Sequence, residues 1–440
     1  NTTGAANTAT GKNALASNTN GGPNVANGFY ALEANTTGGS NVGVGSNSLE
    51  FNTTGSNNTA VGKSSLGANT TGATNTAVGK DSLKTNTTGT NNTAVGVYSL
   101  DANTTGWGNT ATGVYSLSAN TTANYNTAIG ERSLMANTTG GSNVSVGYSS
   151  LVANTTGYEN TGIGFQALGS NTTGYSNAAV GQNALYTNTT GHSNSAFGLS
   201  ALTANTTGAG NVALGHQSLH AQTTAAANTA IGNNAGKEIT TGGYNVFVGE
   251  ESGSYSTNTI TGIQNTFLGS YTGGTASNTT RANVIGHGVV GESEYTTIGS
   301  GTSDIRAANG NVTWATVSDE RYKKDIVDST AGLSFVNALQ PRTFKYKNLG
   351  ELPSTFSAYK ADSTEVFKNS NTNHGFIAQE VKTAIDADAG IKDGFKLWDD
   401  RDDGSQEVAE AALIPVLVKA IQELSTKNDA LVARITALEA

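Results

Sequence analysis

The chain repeats one 17-residue unit over its first 250 residues or so, and this repeat is the strongest constraint on its fold. Two successive copies read NTTGSNNTAVGKSSLGA (residues 52–68) and NTTGATNTAVGKDSLKT (residues 69–85). In each of about fifteen copies, position seven is Asn, position eleven is Gly, and most copies carry Leu near their end. A fixed period of this kind indicates a solenoid in which each copy stacks on the next.

The composition of the repeat favours strands over helices. Gly, Asn and Thr are poor helix formers, and seventeen residues are too few for a helical hairpin repeat. The unit suits two short strands joined by turns, with Asn-Thr-Thr-Gly as one turn. In such a strand Asn58 and Ala60 share one face, while Thr59 and Val61 share the other. The repeat therefore predicts a mainly β protein, a parallel β-solenoid on the order of 70 Å long at about 4.8 Å per copy.

Each copy has few large apolar side chains, and this shortage predicts an oligomer. One Leu, one Val and one Ala contribute about 4–6 kcal/mol if fully buried, whereas each ordered residue costs about 1–2 kcal/mol of backbone entropy. We therefore expect several chains to share a core. The Asn-x-Ala-Val-Gly units resemble the heads of trimeric autotransporter adhesins, which are left-handed parallel β-rolls wound by three chains. This resemblance implies a homotrimer.

Three other interpretations of the repeat are a glycosylation site, an ice-binding surface and a calcium site. Asn-Thr-Thr is formally an N-glycosylation acceptor, but Asn and Thr also suit a turn, which is the interpretation we favour. Regular rows of Thr leave an ice-binding solenoid as an alternative function from another class. Calcium-binding repeats need Asp at fixed positions, and the copies have almost none. The spacing then stretches, so we assign residues 1–251 to the repeats and residues 252–313 to an irregular β neck.

The overall composition narrows the partners. The 440 residues include 23 Lys and Arg against 32 Asp and Glu, a net charge of -9 that argues against nucleic acid. There is no Cys, which excludes disulfides and thiolate metal sites. No apolar run approaches the ~20 residues that span a bilayer, so we expect no membrane insertion. We expect no metal and no cofactor. The chain opens at the start of a repeat and without Met, so we expect an upstream tail or anchor region.

The last third of the chain has a different, charged composition and predicts an α+β domain. Leu333, Val336 and Leu339 fall at helical spacing, and Pro341 ends that helix. Residues 343–346 alternate like a strand, and a second amphipathic helix follows. We assign residues 314–404 to this domain and residues 405–440 to its C-terminal helix.

Two motifs of this domain carry a second resemblance. Ser-Asp-Glu-Arg-Tyr-Lys at residues 318–323 resembles the Ser-Asp-x-Arg-x-Lys signature of the endosialidase-type intramolecular chaperone. Gly-Phe-Ile-Ala-Gln-Glu-Val at residues 375–381 and Leu-Ile-Pro at residues 413–415 continue it. Such domains stand at the C-termini of phage tail fibres and tailspikes. The resemblance implies a domain that trimerises first, guides the β-structure ahead of it, and is released by self-cleavage.

The same resemblance implies a Ser–Lys pair, Ser318 and Lys323, with Asp319 and Arg321 in support. A neutral amine is needed to activate the hydroxyl, and nearby cations or burial favour that state. Attack of Ser318 on the Val317 carbonyl passes through a five-membered ring. We therefore predict scission beside Ser318, on the Val317 or the Asp319 side. This would be single-turnover autoproteolysis and not a turnover enzyme.

Further residues are predicted to join the subunits. The resemblance implies polar contacts between chaperone subunits through His374, Gln379 and Glu380. The final helix carries apolar residues alternately three and four apart, a heptad seam in which Asn428 occupies an a position and sets the register. Ile at a with Leu at d formally favours two strands, whereas the resemblance implies three, and we predict three. A helix packed on its own domain is the alternative.

The sequence thus predicts a trimeric fibre with a C-terminal chaperone. We expect a phage or phage-like tail fibre that binds a bacterial cell-surface receptor, located on the virion tail or at the cell surface. A bacterial surface adhesin with the same chaperone is the nearest alternative.

Overall fold

The structure is a computed structural model of the 440-residue chain. The residues that it describes are 2–255, 259–301, 303–310, 323, 325–388, 391, 397–400, 405–409 and 412–439. They divide into two compact units, Asn1–Val317 and Ser318–Ala440. Among the described residues, no helix combines the length and the apolar character that crossing a membrane requires.

The first unit is a parallel β-solenoid, as the repeat predicts. Each strand pairs in parallel and in register with the strand of the next copy, as Thr76–Val78 does with Thr93–Val95. The three-residue strands β1 to β16 are Thr8–Thr10, Val25–Asn27, Val42–Val44, Thr59–Val61, Thr76–Val78, Thr93–Val95, Thr110–Thr112, Thr127–Ile129, Val144–Val146, Thr161–Ile163, Ala178–Val180, Ser195–Phe197, Val212–Leu214, Thr229–Ile231, Val246–Val248 and Thr266–Leu268. Each copy has one strand where we predicted two, and bends and turns form its remainder.

The stack continues beyond the regular repeats. Strands β18 (Asn283–His287) and β20 (Tyr295–Ser300) extend the parallel sheet, and β21 (Ser303–Ala308) closes it by pairing antiparallel with β20. Strands β17 (Gly273–Gly274) and β19 (Val290–Gly291) form a small separate pair. The segment that we predicted to be an irregular neck therefore carries the same sheet, with equivalent positions of successive strands 20, 17 and 13 residues apart.

The core of the solenoid lies inside a single chain. In the copy that starts at Asn52, the side chains of Asn52, Asn58, Ala60 and Leu66 have no exposed surface. Val61 points outward and is 37% exposed, so the predicted alternation of faces is confirmed. Because one chain already covers its Leu and Ala side chains, a core shared between chains is not needed for their burial. The homotrimer stays a prediction.

Glycine at position eleven closes each copy against the next. Gly62 has a φ of 134°, which favours glycine, and a Cβ atom there would lie 2.5 Å from the carbonyl oxygen of Gly79. Leu66 also adopts a left-handed backbone, with φ of 50°. The chain thereby turns twice within a few residues and brings Leu back under the strand.

The described residues of the second unit form three α-helices and short antiparallel strand pairs. Its elements are α1 (Leu333–Ala338), β22 (Arg342–Phe344), a 3₁₀ turn (Leu349–Glu351), β23 (Asn373–Gly375), α2 (Ala378–Ala387), β24 (Trp398–Asp400), β25 (Gln406–Val408) and α3 (Leu413–Glu439). Strand β22 pairs with β23, and β24 pairs with β25. Helix α1 ends before Pro341 as predicted, whereas the hairpin of β24 and β25 was not predicted.

The three helices of this unit share a small apolar core. Phe335 of α1, Ile385 of α2 and Val416 of α3 are buried together. The Glu423 carboxylate of α3 accepts the backbone N–H of Leu333 at 2.8 Å, so it satisfies a donor that the start of α1 leaves free. Beyond this point the apolar residues of α3 are exposed in the single chain.

Candidate functional site

The predicted cleavage residues lie at the junction between the two units. Val317, Ser318, Asp319 and Arg321 lie outside the described residues, so their geometry stays a prediction. Lys323 is described and its side chain is exposed. The division between the compact units falls between Val317 and Ser318, which is one of the two predicted scission points.

The predicted subunit-contact residues cluster where β23 leads into α2. Register places Thr343 opposite His374 on the neighbouring strands. Two residues after Gly375, Ile377 precedes the first turn of α2, and Glu380 lies within that turn. A carboxylate in the first turn is favoured by the free N–H groups and by the helix dipole. The antiparallel pair and the helix start thus bring His374 and Glu380 to one end of the unit.

Glu380 has a partner within its own chain. Arg342 donates from Nε to Glu380 Oε2 at 3.0 Å and from Nη2 to Oε1 at 2.7 Å, a bidentate ion pair. The hydrogen bonds from Arg342 lower the pKa of Glu380, and the same bonds raise the pKa of Arg342. Sequence analysis missed Arg342 because 38 residues separate it from Glu380.

His374 and Gln379 present their side chains to solvent. His374 is paired with Thr343, next to Arg342 in the chain, and Gln379 precedes Glu380. Whether His374, Gln379 and Glu380 contact another subunit stays a prediction.

An open cavity of about 770 Å³ lies next to this cluster. Aromatic side chains line it. The ring centroid of Tyr346 lies 5.4 Å from that of Phe344 and 5.7 Å from that of Phe367. His374 and Phe376 complete the side formed by β23. Polar side chains, among them Gln379 and Gln406, share the lining with these rings. The density of Phe and Tyr in residues 344–376 is the sequence signal that could have indicated it.

Two rows of buried Asn run through the solenoid. Asn92 donates its backbone N–H to Asn75 Oδ1 at 3.0 Å and its amide to the Gly106 carbonyl at 2.8 Å. In the other row, Asn86 Nδ2 donates to Asn69 Oδ1 at 2.9 Å. From Asn35 to Asn205, the Asn of each Asn-Thr-Thr belongs to this second row and is buried, so a glycan cannot be attached there in the folded protein, whereas Asn278 of a later Asn-Thr-Thr is exposed. This agrees with our interpretation of the motif as a turn.

Aromatic side chains form short exposed rows on the outside of the solenoid. The rings of Tyr158, Tyr175 and His192 stack with centroid separations of 5.1 and 4.6 Å. Trp107 and Tyr125 make a further edge-to-face pair. The described residues contain no group of three His, Asp or Glu side chains arranged to hold a metal ion. The solenoid surface therefore offers contacts for binding and no evident catalytic cluster among the residues described.

Comparison with known families identifies the C-terminal part of the chain. Residues 318–391 match the model of the family described as chaperone of endosialidase. The match begins at Ser318 and includes Lys323, His374 and Glu380. It confirms the resemblance seen in the sequence motifs. No curated protein and no solved structure matches the chain.

Proposed function

We propose that the chain forms a trimeric fibre, in which the solenoid is the structural part and the C-terminal unit guides its assembly. The observation that carries this proposal is the chaperone match, which begins directly after a parallel solenoid of 18 in-register strands and one closing antiparallel strand. Stacked β-structure has many similar alternative pairings, because each copy resembles its neighbours. A domain that brings three chains together in register would remove those alternatives.

The fibre would serve for attachment, most consistently as a phage or phage-like tail fibre on the virion. Chaperones of this kind stand at the ends of such fibres, and the exposed aromatic rows offer contact to a bacterial cell-surface receptor. A bacterial surface adhesin with the same chaperone would use the same surface.

An exposed row of Thr keeps ice binding as a second candidate. The third residue of each Asn-Thr-Thr-Gly, such as Thr54, Thr71 and Thr88, is exposed along the solenoid. A regular row of hydroxyl and methyl groups could match an ice lattice. Thermal hysteresis of the full chain distinguishes this function from attachment, which predicts none.

We further propose that the chaperone is released by cleavage beside Ser318. The Ser318 hydroxyl would attack the Val317 carbonyl carbon while Lys323, as the general base, takes the hydroxyl proton. The peptide C–N bond then breaks, the Ser318 nitrogen leaves with a proton, and an ester remains. Water hydrolyses this ester, giving a Val317 carboxylate and restoring the hydroxyl.

Ser318→Ala tests the cleavage, with Ser329→Ala as a nearby control. On denaturing electrophoresis we expect the wild type and Ser329→Ala to give pieces of 317 and 123 residues (440 less 317). Ser318→Ala should remain one chain with the native mass of three 440-residue chains, whereas the two cleaved proteins should have the native mass of three 317-residue pieces after release. An intact wild type would contradict the cleavage, and a native mass of one chain would contradict the trimer.

A further inference from the structure

One outward row of the solenoid sheet is apolar except at Thr10, Asn27 and Thr112. We call it the outer ladder, defined as the third residue of each parallel strand from Thr10 to Val248, followed by Leu268, Ile285 and Ile298. Fifteen of its eighteen members are Val, Ile, Leu or Phe. Ten of these fifteen apolar residues are at least 36% exposed in the single chain, among them Val61, Val95, Ile129, Ile163, Leu214 and Ile285. The outer ladder is thus the longest exposed apolar row that the repeat produces.

Charge is kept off this face. The residue two positions before each member of the outer ladder points the same way and is Thr, Val, Ala, Ser or Asn. None of the 23 basic and 32 acidic residues falls on either outward row. Two residues beyond the outer ladder, past the glycine turn, charge returns at Lys63, Lys80 and Glu131. Thr has a high β propensity, as Val does. Strand formation alone therefore does not explain why apolar residues occupy the outer ladder.

The size of this face matches what a stable protein interface buries. A rise of about 4.8 Å per strand and a width of about 10 Å give roughly 900 Å² over the parallel strands. Stable interfaces bury about 800 Å² per partner. The outer ladder takes up about half of this face, and monomeric proteins rarely leave an apolar patch larger than a few hundred Å² uncovered, so its exposure indicates a partner.

The period of the outer ladder indicates which partner covers it. A matching surface must be equally long and straight, without charge, and must repeat its apolar groups at the rise of a β-strand. Another copy of this chain has such a surface. We propose that copies of this chain pack on one another along the outer ladder while each copy keeps its own Leu core. This inference rests on the proposed trimeric fibre and names the face that its subunits share.

The apolar face of α3 supports a parallel arrangement of these copies. Leu424, Leu431 and Ile435 are more than half exposed, so a second apolar row without an intrachain partner lies at the C-terminal end of the chain. A parallel coiled coil sets its chains side by side with equal heights. Each residue of the outer ladder then meets the same residue of its neighbours.

An ice-binding surface would need a flat and uniform row. Phe197 and Leu214 stand among the Val and Ile residues and break that uniformity. Side chains of unequal size can interdigitate with a protein partner, whereas they interrupt contact with a lattice. The outer ladder is therefore better suited to another subunit.

Single cysteines test this face cleanly, because the chain contains none. Val95 lies on the outer ladder, while Val97 of the same copy lies outside it, and both are 36% exposed. Full-length Val95→Cys and Val97→Cys would be oxidised mildly and run on non-reducing gels. We expect Val95→Cys to form a two-chain band at least about tenfold faster, because disulfides need Cα atoms within ~7 Å. Ile163→Cys and Phe165→Cys repeat the comparison elsewhere in the stack.

The results separate the interface from the function. Faster crosslinking at both outer-ladder sites, in particles with the mass of three chains, supports the inference. Equal or absent crosslinking in particles of that mass would overturn the inference and leave the trimeric fibre intact. A monomeric protein without crosslinks would overturn both, and thermal hysteresis lost in Val95→Cys would assign the face to ice.

Discussion

At the residue scale, asparagine takes a place that apolar residues hold in ordinary cores. Each buried Asn at position seven bonds to the copy before it and the copy after it, as Asn92 does with Asn75 and Gly106. A buried amide is tolerated only when its hydrogen bonds are made. Here the identical Asn of the next copy supplies the partner, so the requirement is met for as long as the repeat lasts.

Replacing Asn92 by Ser should therefore weaken the solenoid. The shorter side chain cannot reach the Gly106 carbonyl and cannot accept the backbone N–H of Asn109, which Asn92 Oδ1 now accepts at 3.0 Å. Each unsatisfied buried group costs about 1–3 kcal/mol, so we expect a loss of about 2–4 kcal/mol in the free energy of unfolding. Chemical denaturation followed by circular dichroism measures this loss.

Asn91→Ser is the matched control for that variant. Asn91 is exposed, and Ser142 and Ser176 hold the equivalent position in other copies with the same left-handed backbone. We expect a change within about 0.5 kcal/mol. Equal losses in the two variants would contradict the role assigned to the buried amide.

At the scale of the elements, the 17-residue period predicts which residues point inward but not how each copy turns. The alternation of Asn58 and Ala60 against Val61 follows from the geometry of a strand and is confirmed. The second strand that we predicted is replaced by left-handed residues such as Ser64 and Leu66. Leu has no intrinsic preference for that backbone, so only contact with the stacked copies determines it, and a local pattern cannot reveal it.

The glycine at position eleven gives a prediction at this scale. Gly96→Ala places a Cβ atom 2.4 Å from the carbonyl oxygen of Gly113, at a φ of 138°. Strain of this kind costs about 1–3 kcal/mol before the overlap is counted, so we expect a lower melting temperature.

Gly67→Ala serves as the control. Gly67 lacks a positive φ, its Cβ would meet no atom closer than 3.3 Å, and other copies carry Lys84 or Asp101 at that position. A gain or loss below about 1 kcal/mol is expected. If Gly67→Ala proved as harmful as Gly96→Ala, close packing at position eleven would not be the reason for the glycine.

At the scale of the whole molecule, the sequence divides into two units, because the 17-residue repeat ends before the motif of the chaperone family begins. The repeat predicts the solenoid through its period, and the match that starts at Ser318 identifies the chaperone. The Arg342–Glu380 pair and the aromatic cavity were not predicted, because they join residues that are distant in sequence and no periodicity connects them. Ser318 and Lys323 rest on the motif alone.

The exposed heptad of α3 gives a prediction for the assembly. Leu431 lies on the predicted seam and the adjacent Val432 lies off it, yet both are 55% exposed in the single chain. Leu431→Asp places a charge in the apolar seam of every subunit. Sedimentation of the full chain across a dilution series should show dissociation at concentrations at least about tenfold higher, a loss of about 1.4 kcal/mol.

Val432→Asp introduces the same charge one residue away, where it would face solvent. We expect its dissociation to match that of the wild type. If both variants dissociated alike, or neither did, α3 would not associate through the predicted seam.

The in-register stacking of whole copies also determines how this protein can change in size. Removing residues 52–68 would delete one strand, one Leu and one link of each Asn row, and the ends left behind are chemically equivalent to those removed. Within the regular repeats, deletions in multiples of 17 residues leave every turn unchanged, whereas the stack elsewhere also accepts strand spacings of 20 and 13 residues. Deletion or duplication of whole copies can thus shorten or lengthen the rod in steps of about 4.8 Å with an unchanged cross-section. The length of the molecule can therefore change independently of its fold.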